Sequence, residues 1–326
     1  MDKMKIIKLE TLDHKTENDL TFIYDAFYYK HPFIDPDVIG PIVKNSFNPF
    51  LFNTKPVLYL IIESGADGSI DGYFPSYLST SLSVLNTITV YYPFVVNSER
   101  LLAEVLEKLC NVKYSFEIIP LLDNPYMSVI MSSVCNFEKK IKIRVVSYNQ
   151  HSDKVARTRV RKAQNNGLIY QILMADEMKR PVIRDFLKCA SESIKRRGRI
   201  IEVSEILVDK WYRTLKSISE KDKGIFIAIY NRNGNLVGGE YILINEKIMY
   251  HYISYNSNEG LKMQAGYFSL NAAYGVAKEK NLIVDFGLNP VNEPFVEYKK
   301  HWGEYRVEYS YAKSTWFYKS SIDASA

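Results

Sequence analysis

Long hydrophobic runs, paired cysteines and clustered histidines are missing from the sequence, and each absence excludes a class of protein. No apolar run approaches the ~18 residues of a membrane-spanning helix, so we expect no membrane span. The 3 cysteines, Cys110, Cys135 and Cys189, form no CxxC motif, which argues against a disulfide framework and a zinc site. The 5 histidines form neither HxxxH nor HExxH, so we expect no metal. The N-terminus turns acidic and polar too early for a signal peptide, and together these features predict a cytoplasmic protein.

The composition is that of a globular protein, but its positive charge is concentrated in one segment. The chain has 326 residues, of which 47% are hydrophobic and 24% charged, and this length favours two domains. The net charge is +5, yet residues 151–200 alone hold 13 Lys and Arg against 5 Asp and Glu. This block is either a solvated helix face or a site for phosphate, pyrophosphate or nucleic acid.

Hydrophobic periodicity predicts an α/β chain with a mixed β-sheet and helices on both faces. After a basic helix at 151–167, the second half has the order β-α-α-β-β-β-α-β-α-β-β. The predicted strands are 168–173, 224–230, 236–244, 248–255, 282–286, 305–312 and 315–318, and the helices 176–197, 205–220, 266–280 and 295–301. Residues 1–150 repeat this order more faintly, which indicates a duplicated fold.

The second half contains the three motifs KVARTRVRKAQNNGL (154–168), NAAYGVAKEKN with LIVDFG (271–287) and YKKHWG (298–303). Together they resemble FemAB-like members of the GNAT N-acyltransferase superfamily. The basic helix KVARTRVRKAQNNGL places Arg157, Arg161, Lys162, Ala163 and Gly167 on the positions of that family's R-x-x-x-R-K-A-x-x-x-G pattern. The helix NAAYGVAKEKN followed by LIVDFG resembles the core of its second domain. The segment YKKHWG at 298–303 resembles its F-K-x-x-W/F-G segment, with Tyr298 replacing Phe.

The resemblance implies two tandem GNAT-like domains, each a twisted mixed β-sheet flanked by helices. Residues 1–150 would form a degenerate domain and 151–326 the acyltransferase domain. The implied reaction transfers an acyl or aminoacyl group from a thioester or ester donor to a primary amine of a small molecule, sugar, peptide or cell-envelope precursor. The donor is acyl-CoA, an acyl carrier protein thioester or aminoacyl-tRNA. The acyl-CoA loop of GNAT enzymes corresponds here to LKMQAGY (261–267), where only Gly266 matches a family glycine, and no coiled-coil arm for tRNA is present.

The GNAT fold implies that the donor carbonyl binds where two neighbouring strands separate, and four residues are candidates for the chemistry there. Lys299 occupies the family position that faces the donor or the developing oxyanion. Asp285, late in its strand, can accept the amine proton or orient the ammonium. His251 and Glu240, on two adjacent strands, are further candidate bases. Strict alternation would place Tyr250, Tyr252 and Ser254 on one face of the strand and His251, Ile253 and Tyr255 on the other.

Candidate binding residues surround this predicted opening. The spacing of Arg157 and Arg161 puts both guanidinium groups on one helix face, where they suit a diphosphate or a carboxylate. The full set of substrate-binding and donor-binding candidates is Arg157, Arg161, Lys162, Tyr250, Tyr252, Lys262, Gly266 and Trp302.

Two other functions remain open from the sequence. The basic segments 154–162 and 195–199 could bind nucleic acid, although no helix-turn-helix, RRM or KH motif accompanies them. The reduced glycine content of the 261–267 loop also fits a noncatalytic GNAT-like protein that binds a ligand or a partner.

Overall fold

The chain folds into two compact units with mixed α/β architecture. The computed structural model describes residues 4–9, 11–49, 54–63, 69–81, 85–91, 94–96, 98–111, 115–123, 127–133, 137–150, 152–291 and 294–313. Cys135, His151 and the predicted strand at 315–318 lie outside these ranges. One unit comprises Met1–Lys142 with Val307–Ala326, and the other comprises Ile143–Arg306.

The first unit alternates helical segments with an antiparallel meander. Its elements are β1 (Met4–Leu9), α1 (His14–Ala26), a 3-10 turn (Pro32–Ile34), α2 (Pro36–Lys44), β2 (Thr54–Glu63), β3 (Gly72–Ser81), β4 (Leu85–Tyr91), β5 (Val95–Val96), α3 (Glu99–Asn111), β6 (Ser115–Ile119), α4 (Met127–Ser133) and β7 (Glu138–Ser147). The last five residues of β7 already belong to the second unit.

The second unit has the same kind of element order. Its elements are α5 (Lys154–Asn165), β8 (Ile169–Leu173), α6 (Arg180–Lys195), α7 (Glu205–Ser219), β9 (Gly224–Tyr230), β10 (Leu236–Ile244), β11 (Ile248–Asn256), α8 (Asn258–Met263), α9 (Ala265–Lys280), β12 (Ile283–Pro290) and α10 (Pro294–Lys300). The final strand, β13 (Glu304–Lys313), ends in the first unit.

The strand order confirms the predicted mixed sheets and shows the same topology in both units. In the first unit the order is β1–β2–β3–β4–β6–β13, and in the second it is β8–β9–β10–β11–β12–β7. Each unit has antiparallel neighbours up to its fourth strand, and then a helical crossover leads to a parallel fifth strand. The sixth position of each sheet is filled out of chain order. In the first unit it is taken by β13, from the end of the chain, and in the second by β7, which precedes the other strands of that unit in the sequence.

The sheet of the second unit is covered by helices on both faces, because its strands are apolar on both sides. Residues of α9 pack on one face in a core cluster with residues of α5. On the other face, the Phe186 ring of α6 contacts the Phe226 ring edge-on at 4.9 Å, and Tyr241 donates to the Leu215 carbonyl of α7 at 2.7 Å. In the part of the chain that the structure describes, no helix is both long enough and apolar enough to cross a membrane.

Two predicted boundaries differ from the structure for local reasons. Helix α6 starts at Arg180 rather than at 176, because a turn at Met174 precedes it and Pro181 occupies a first-turn position, where its missing N–H costs nothing. Residues 256–265, which connect the predicted strand 248–255 to the predicted helix 266–280, contain α8. Ser257 caps this helix by accepting the Gly260 N–H at 3.0 Å, and six residues are too few for the sequence to show a helical stripe.

Candidate functional site

Strands β11 and β12 begin side by side and then separate. They pair in parallel over three residues, and Tyr250 with Asp285 is the last pair. Beyond it, β11 continues to Asn256 and β12 continues to Pro290. We call this opening the β11–β12 gap. Because backbone groups must be satisfied, strand edges that part from each other can bind the polar atoms of a ligand.

The gap opens through a turn in β12 that Asp285 and Gly287 form together. Asp285 Oδ1 accepts the Gly287 N–H at 2.8 Å, so the side chain holds a backbone donor locally. Gly287 has φ of 73°, a conformation that side-chain-bearing residues rarely adopt. A Cβ there would lie 2.8 Å from the Tyr250 hydroxyl. The glycine is therefore required both by its backbone angle and by the nearby tyrosine.

Asp285 is also one partner of a fully buried ion pair with Arg144 of β7. Arg144 Nη1 lies 3.1 and 3.0 Å from the two carboxylate oxygens, and both side chains have 0% exposure. Arg144 was not among the predicted residues, although a cation next to the apolar run that ends β7 is a recognisable sign of a buried partner. A carboxylate held by a guanidinium and a backbone N–H is poorly placed to take a proton from a substrate amine.

A β-bulge changes which side chains of β11 share a face. Tyr241 pairs with Ile253 and Ile242 pairs with His251, so Tyr252 is the extra residue. The prediction that His251 and Ile253 share a face is wrong, because the bulge shifts the alternation by one residue between them.

The bulge places His251 on the same face as Glu240, and the two form a polar cluster. His251 Nε2 lies 3.1 Å from Glu240 Oε2, and Ser269 of α9 donates to the same oxygen at 3.3 Å. Glu240 has 0% exposure, and its Oε1 has no hydrogen-bond partner within the described ranges. The His251 ring lies 5.6 Å from that of Phe286, the first residue of β12 past the last pair. The sequence-predicted pair of bases therefore meets at the gap.

Lys299 approaches the gap from α10 and is buried, with 6% exposure. Its ammonium donates to the Phe286 carbonyl at 3.1 Å and to Asn289 Oδ1 at 3.2 Å. Asn289, which the sequence analysis did not single out, in turn donates to the Gly287 carbonyl at 2.7 Å. The ammonium is thus fixed against the β12 side of the gap.

The remaining predicted aromatic residues flank this region. Tyr250 and Tyr252 are half-buried on β11. Trp302 has 1% exposure, and its carbonyl accepts the Tyr274 hydroxyl, so it packs the turn after α10. Tyr298, which replaces the family phenylalanine, donates its hydroxyl to the Gly266 carbonyl at 2.7 Å. Burial and the negative charge of Glu240 raise the pKa of Tyr298 well above its usual value, so this hydroxyl stays protonated.

The segment LKMQAGY (261–267) spans the end of helix α8 and the start of α9. A Cβ on Gly260 would lie 2.1 Å from the Val237 carbonyl, which shows how closely α8 contacts β10. Gly266 lies in the first turn of α9, which contains no acidic residue. Lys262 is exposed on α8. The positive end of α9 therefore has no acidic side chain in its first turn that would repel an anion.

The basic residues of α5 lie on the protein surface. Arg157, Arg161 and Lys162 are all exposed, and Arg157 donates to the Ser152 carbonyl. At its C-terminal end, α5 contacts α8 through Asn166, whose amide lies 3.5 Å from the Met263 carbonyl. The structure thus separates these exposed cations from the buried residues of the gap.

Two cavities lie outside the gap. One of about 560 Å³ is lined by residues of β7 and by the turn after α10, where His301 Nδ1 lies 2.7 Å from Asp153 Oδ2. The other, about 300 Å³, lies between α6 and the start of β10 and includes Cys189 in its wall. Burial raises the pKa of Cys189 to about 12. No group of potential metal ligands was found among the residues described.

No family model matches the sequence, and no curated protein matches it. The fold does match solved structures. The structure of FemX aligns with a TM-score of 0.58 and 10% identity over 97% of this chain and 99% of FemX. The C-terminal domain of a putative lysylphosphatidylglycerol synthetase from Agrobacterium fabrum aligns with a TM-score of 0.60 and 8% identity over 94% and 96%. A tandem GNAT protein from the clavulanic acid biosynthesis pathway aligns with a TM-score of 0.52 and 10% identity over 95% and 97%. The chain therefore has the FemAB-like GNAT fold that its motifs predict.

Proposed function

We propose that the second unit transfers an acyl or aminoacyl group from an activated thioester or ester to a primary amine. The observation that carries this proposal is the β11–β12 gap, with the Glu240–His251 pair on one side and the buried ammonium of Lys299 on the other. A carbonyl held between them would have a proton acceptor and a cation within one opening.

The reaction needs proton removal as the new bond forms. The amine nitrogen attacks the carbonyl carbon, the C–N bond forms, and the C–S or C–O bond of the donor breaks, so that the donor leaves as a free thiol or alcohol that takes up the proton lost by the amine. With Nε2–H donated to Glu240, the other imidazole nitrogen of His251 is the one that can take the amine proton. Glu240 then fixes the tautomer and stabilises the imidazolium, as a carboxylate does in a catalytic triad.

Negative charge on the carbonyl oxygen requires donors that are already in place. The ammonium of Lys299 is fixed by two acceptors of the β12 segment, so little reorganisation is needed when charge develops nearby. We assign Asp285 to the shape of the gap rather than to proton transfer, because Arg144 and the Gly287 N–H hold its carboxylate.

The donor is acyl-CoA, an acyl carrier protein thioester or aminoacyl-tRNA, and the positive end of α9 would hold its phosphate. One structural neighbour is a tandem GNAT protein and another is named as a putative lysylphosphatidylglycerol synthetase, and these names support keeping both acyl and aminoacyl donors in the proposal. The exposed cations Arg157, Arg161, Lys162 and Lys262 would contact the anionic part of a large donor. The acceptor is an amine of a small molecule, sugar, peptide or cell-envelope precursor.

The test is a transfer assay with acetyl-CoA, longer acyl-CoA species and aminoacyl-tRNA against a panel of amines. Substituting His251→Gln or Lys299→Met should lower kcat by about 10² or more in the donor series that works. Lys300→Met, the neighbouring lysine whose side chain is 30% exposed, and His14→Gln, whose side chain is 96% exposed, are the matched controls. Thermal melting of each variant separates lost chemistry from lost folding. Activity that survives both site substitutions contradicts the proposed roles, and absence of transfer from every donor contradicts the proposed function.

A further inference from the structure

The loop between α6 and α7 exposes apolar and basic side chains together, and the proposed reaction does not use them. Ile200 has 89% exposure and Ile206, in the first turn of α7, has 72%. Single exposed isoleucines are common, but one of these lies within a short loop and the other lies in the helical turn that follows it. We call residues 195–206 the α6–α7 loop.

The charge of this loop is strongly positive. Residues 195–204 hold four basic side chains and one acidic, Glu202. The next carboxylate, Glu205, is bound by Arg180 at 2.7 Å and by Arg184 at 2.9 Å, so its charge is balanced by cations of α6. The basic side chains of the loop are Lys195, Arg196, Arg197 and Arg199.

Hydrogen bonds define the shape of the loop. The Gly198 N–H donates to the Lys195 carbonyl at 3.0 Å, and Gly198 has φ of 74°, which ends α6 in a left-handed cap. Arg196 donates to Asn258 Oδ1 at 2.7 Å and to the Asn256 carbonyl at 2.9 Å, which ties the loop to the end of β11. These hydrogen bonds order the turn that precedes the exposed Ile200.

We propose that the α6–α7 loop docks the protein onto an anionic membrane surface. Ile200 and Ile206 would enter the boundary between headgroups and acyl chains, while Lys195, Arg197 and Arg199 would lie near lipid phosphates. Apolar side chains beside Lys and Arg are the composition that binds such an interface. Nucleic acid would account for the cations, but it takes up aliphatic side chains only as wedges between unstacked bases, whereas a lipid interface takes them up without such a distortion. The isoleucines therefore favour lipid.

The test is co-sedimentation of the full chain with vesicles of phosphatidylcholine and phosphatidylglycerol in equal parts, and with vesicles of phosphatidylcholine alone. We expect binding to the anionic vesicles, weakened by salt. Ile200→Asn should reduce partitioning by about tenfold or more, from the lost burial of one aliphatic side chain. Arg197→Glu should reduce it by roughly 25-fold, since one attraction is lost and one repulsion is gained at about 1 kcal/mol each.

Matched controls make the result specific to the loop. Ile169→Asn changes an isoleucine of 59% exposure on the edge strand β8, and Arg213→Glu changes an exposed arginine of α7; neither should alter binding. Equal binding to neutral vesicles, or binding that Ile200→Asn leaves unchanged, overturns the proposal. The proposal is also overturned if the protein does not bind the anionic vesicles but binds mixed-sequence nucleic acid through Arg197. Unchanged melting curves show that the variants are folded. Vesicle binding is measured without any transfer reaction, so its outcome is independent of the proposed activity.

Discussion

Removing one partner of the Arg144–Asp285 pair should destabilise the protein far more than removing both. Asp285→Asn keeps an oxygen for the Gly287 N–H but leaves the buried Arg144 guanidinium without its countercharge. At 3.0 Å and an effective dielectric of 20, the lost attraction is about 5.5 kcal/mol. Breaking buried pairs typically costs ~3–5 kcal/mol, so we expect a loss in that range. Arg144→Met combined with Asp285→Asn removes the uncompensated charge and should cost less than either single change.

The assay is urea denaturation of the wild type, both single variants and the double variant, which closes a double-mutant cycle. Circular dichroism gives the free energy of unfolding of each protein. A coupling energy above about 2 kcal/mol is expected for charges in contact and wholly buried. Single losses below about 1 kcal/mol that add up in the double variant would refute the reasoning, since they would mean that the two charges do not interact inside the fold.

Three further predictions follow from single side chains. Gly287→Ala should lower the free energy of unfolding by more than the ~1–2 kcal/mol that a left-handed backbone costs a non-glycine residue, because its Cβ also meets the Tyr250 hydroxyl. Gly234→Ala, at φ of 76° with open space around it, should show the backbone cost alone. Equal losses in the two variants would argue against the contact with Tyr250. Burial raises the pKa of Cys189 to about 12, so it should react with iodoacetamide at pH 8 about a thousandfold more slowly than a thiol of pKa 9. Mass spectrometry locates the label, and rapid labelling of Cys189 in the native protein would contradict its burial. Buried tyrosines should make the protein unfold in alkali. Their folded-state pKa values are raised, to about 12 for Tyr255, so stability is complete below about pH 10 and falls as pH rises further. The slope should approach about 1.4 kcal/mol per pH unit for each such tyrosine, and tyrosinate absorbance that rises without unfolding would contradict this. Tyr241, Tyr274 and Tyr298 are further tyrosines of the second unit whose pKa burial raises.

The sequence predicted the parts of the site that depend on local pattern. Alternating and helical periodicities located the strands on both sides of the gap, and the YKKHWG motif singled out Lys299, which the structure finds buried at that gap. The roles of these residues remain predictions. The order of strands and helices also predicted the fold, because both units repeat the same order of elements.

The parts that the sequence missed depend on contacts between distant residues. Arg144 and Asp285 are 141 residues apart, and only the pairing of β7 with β12 brings them together. The bulge at Tyr252 leaves no mark in a run of alternating tyrosines, since period-2 reasoning assumes that no residue is inserted. Helix α8 is too short for its periodicity to be recognised.

The out-of-order sixth strand of each unit has a consequence for synthesis on the ribosome. Ile118 of β6 pairs with Tyr311 of β13, nearly two hundred positions later. During translation, the edge of β6 in the N-terminal half therefore stays unpaired until β13 has been synthesised, when the chain is almost complete. If the chain is cut between the halves, the N-terminal fragment lacks β13 and the C-terminal fragment lacks β7. Co-expressed fragments should therefore complement each other only when the N-terminal fragment carries β7 and the C-terminal fragment carries β13.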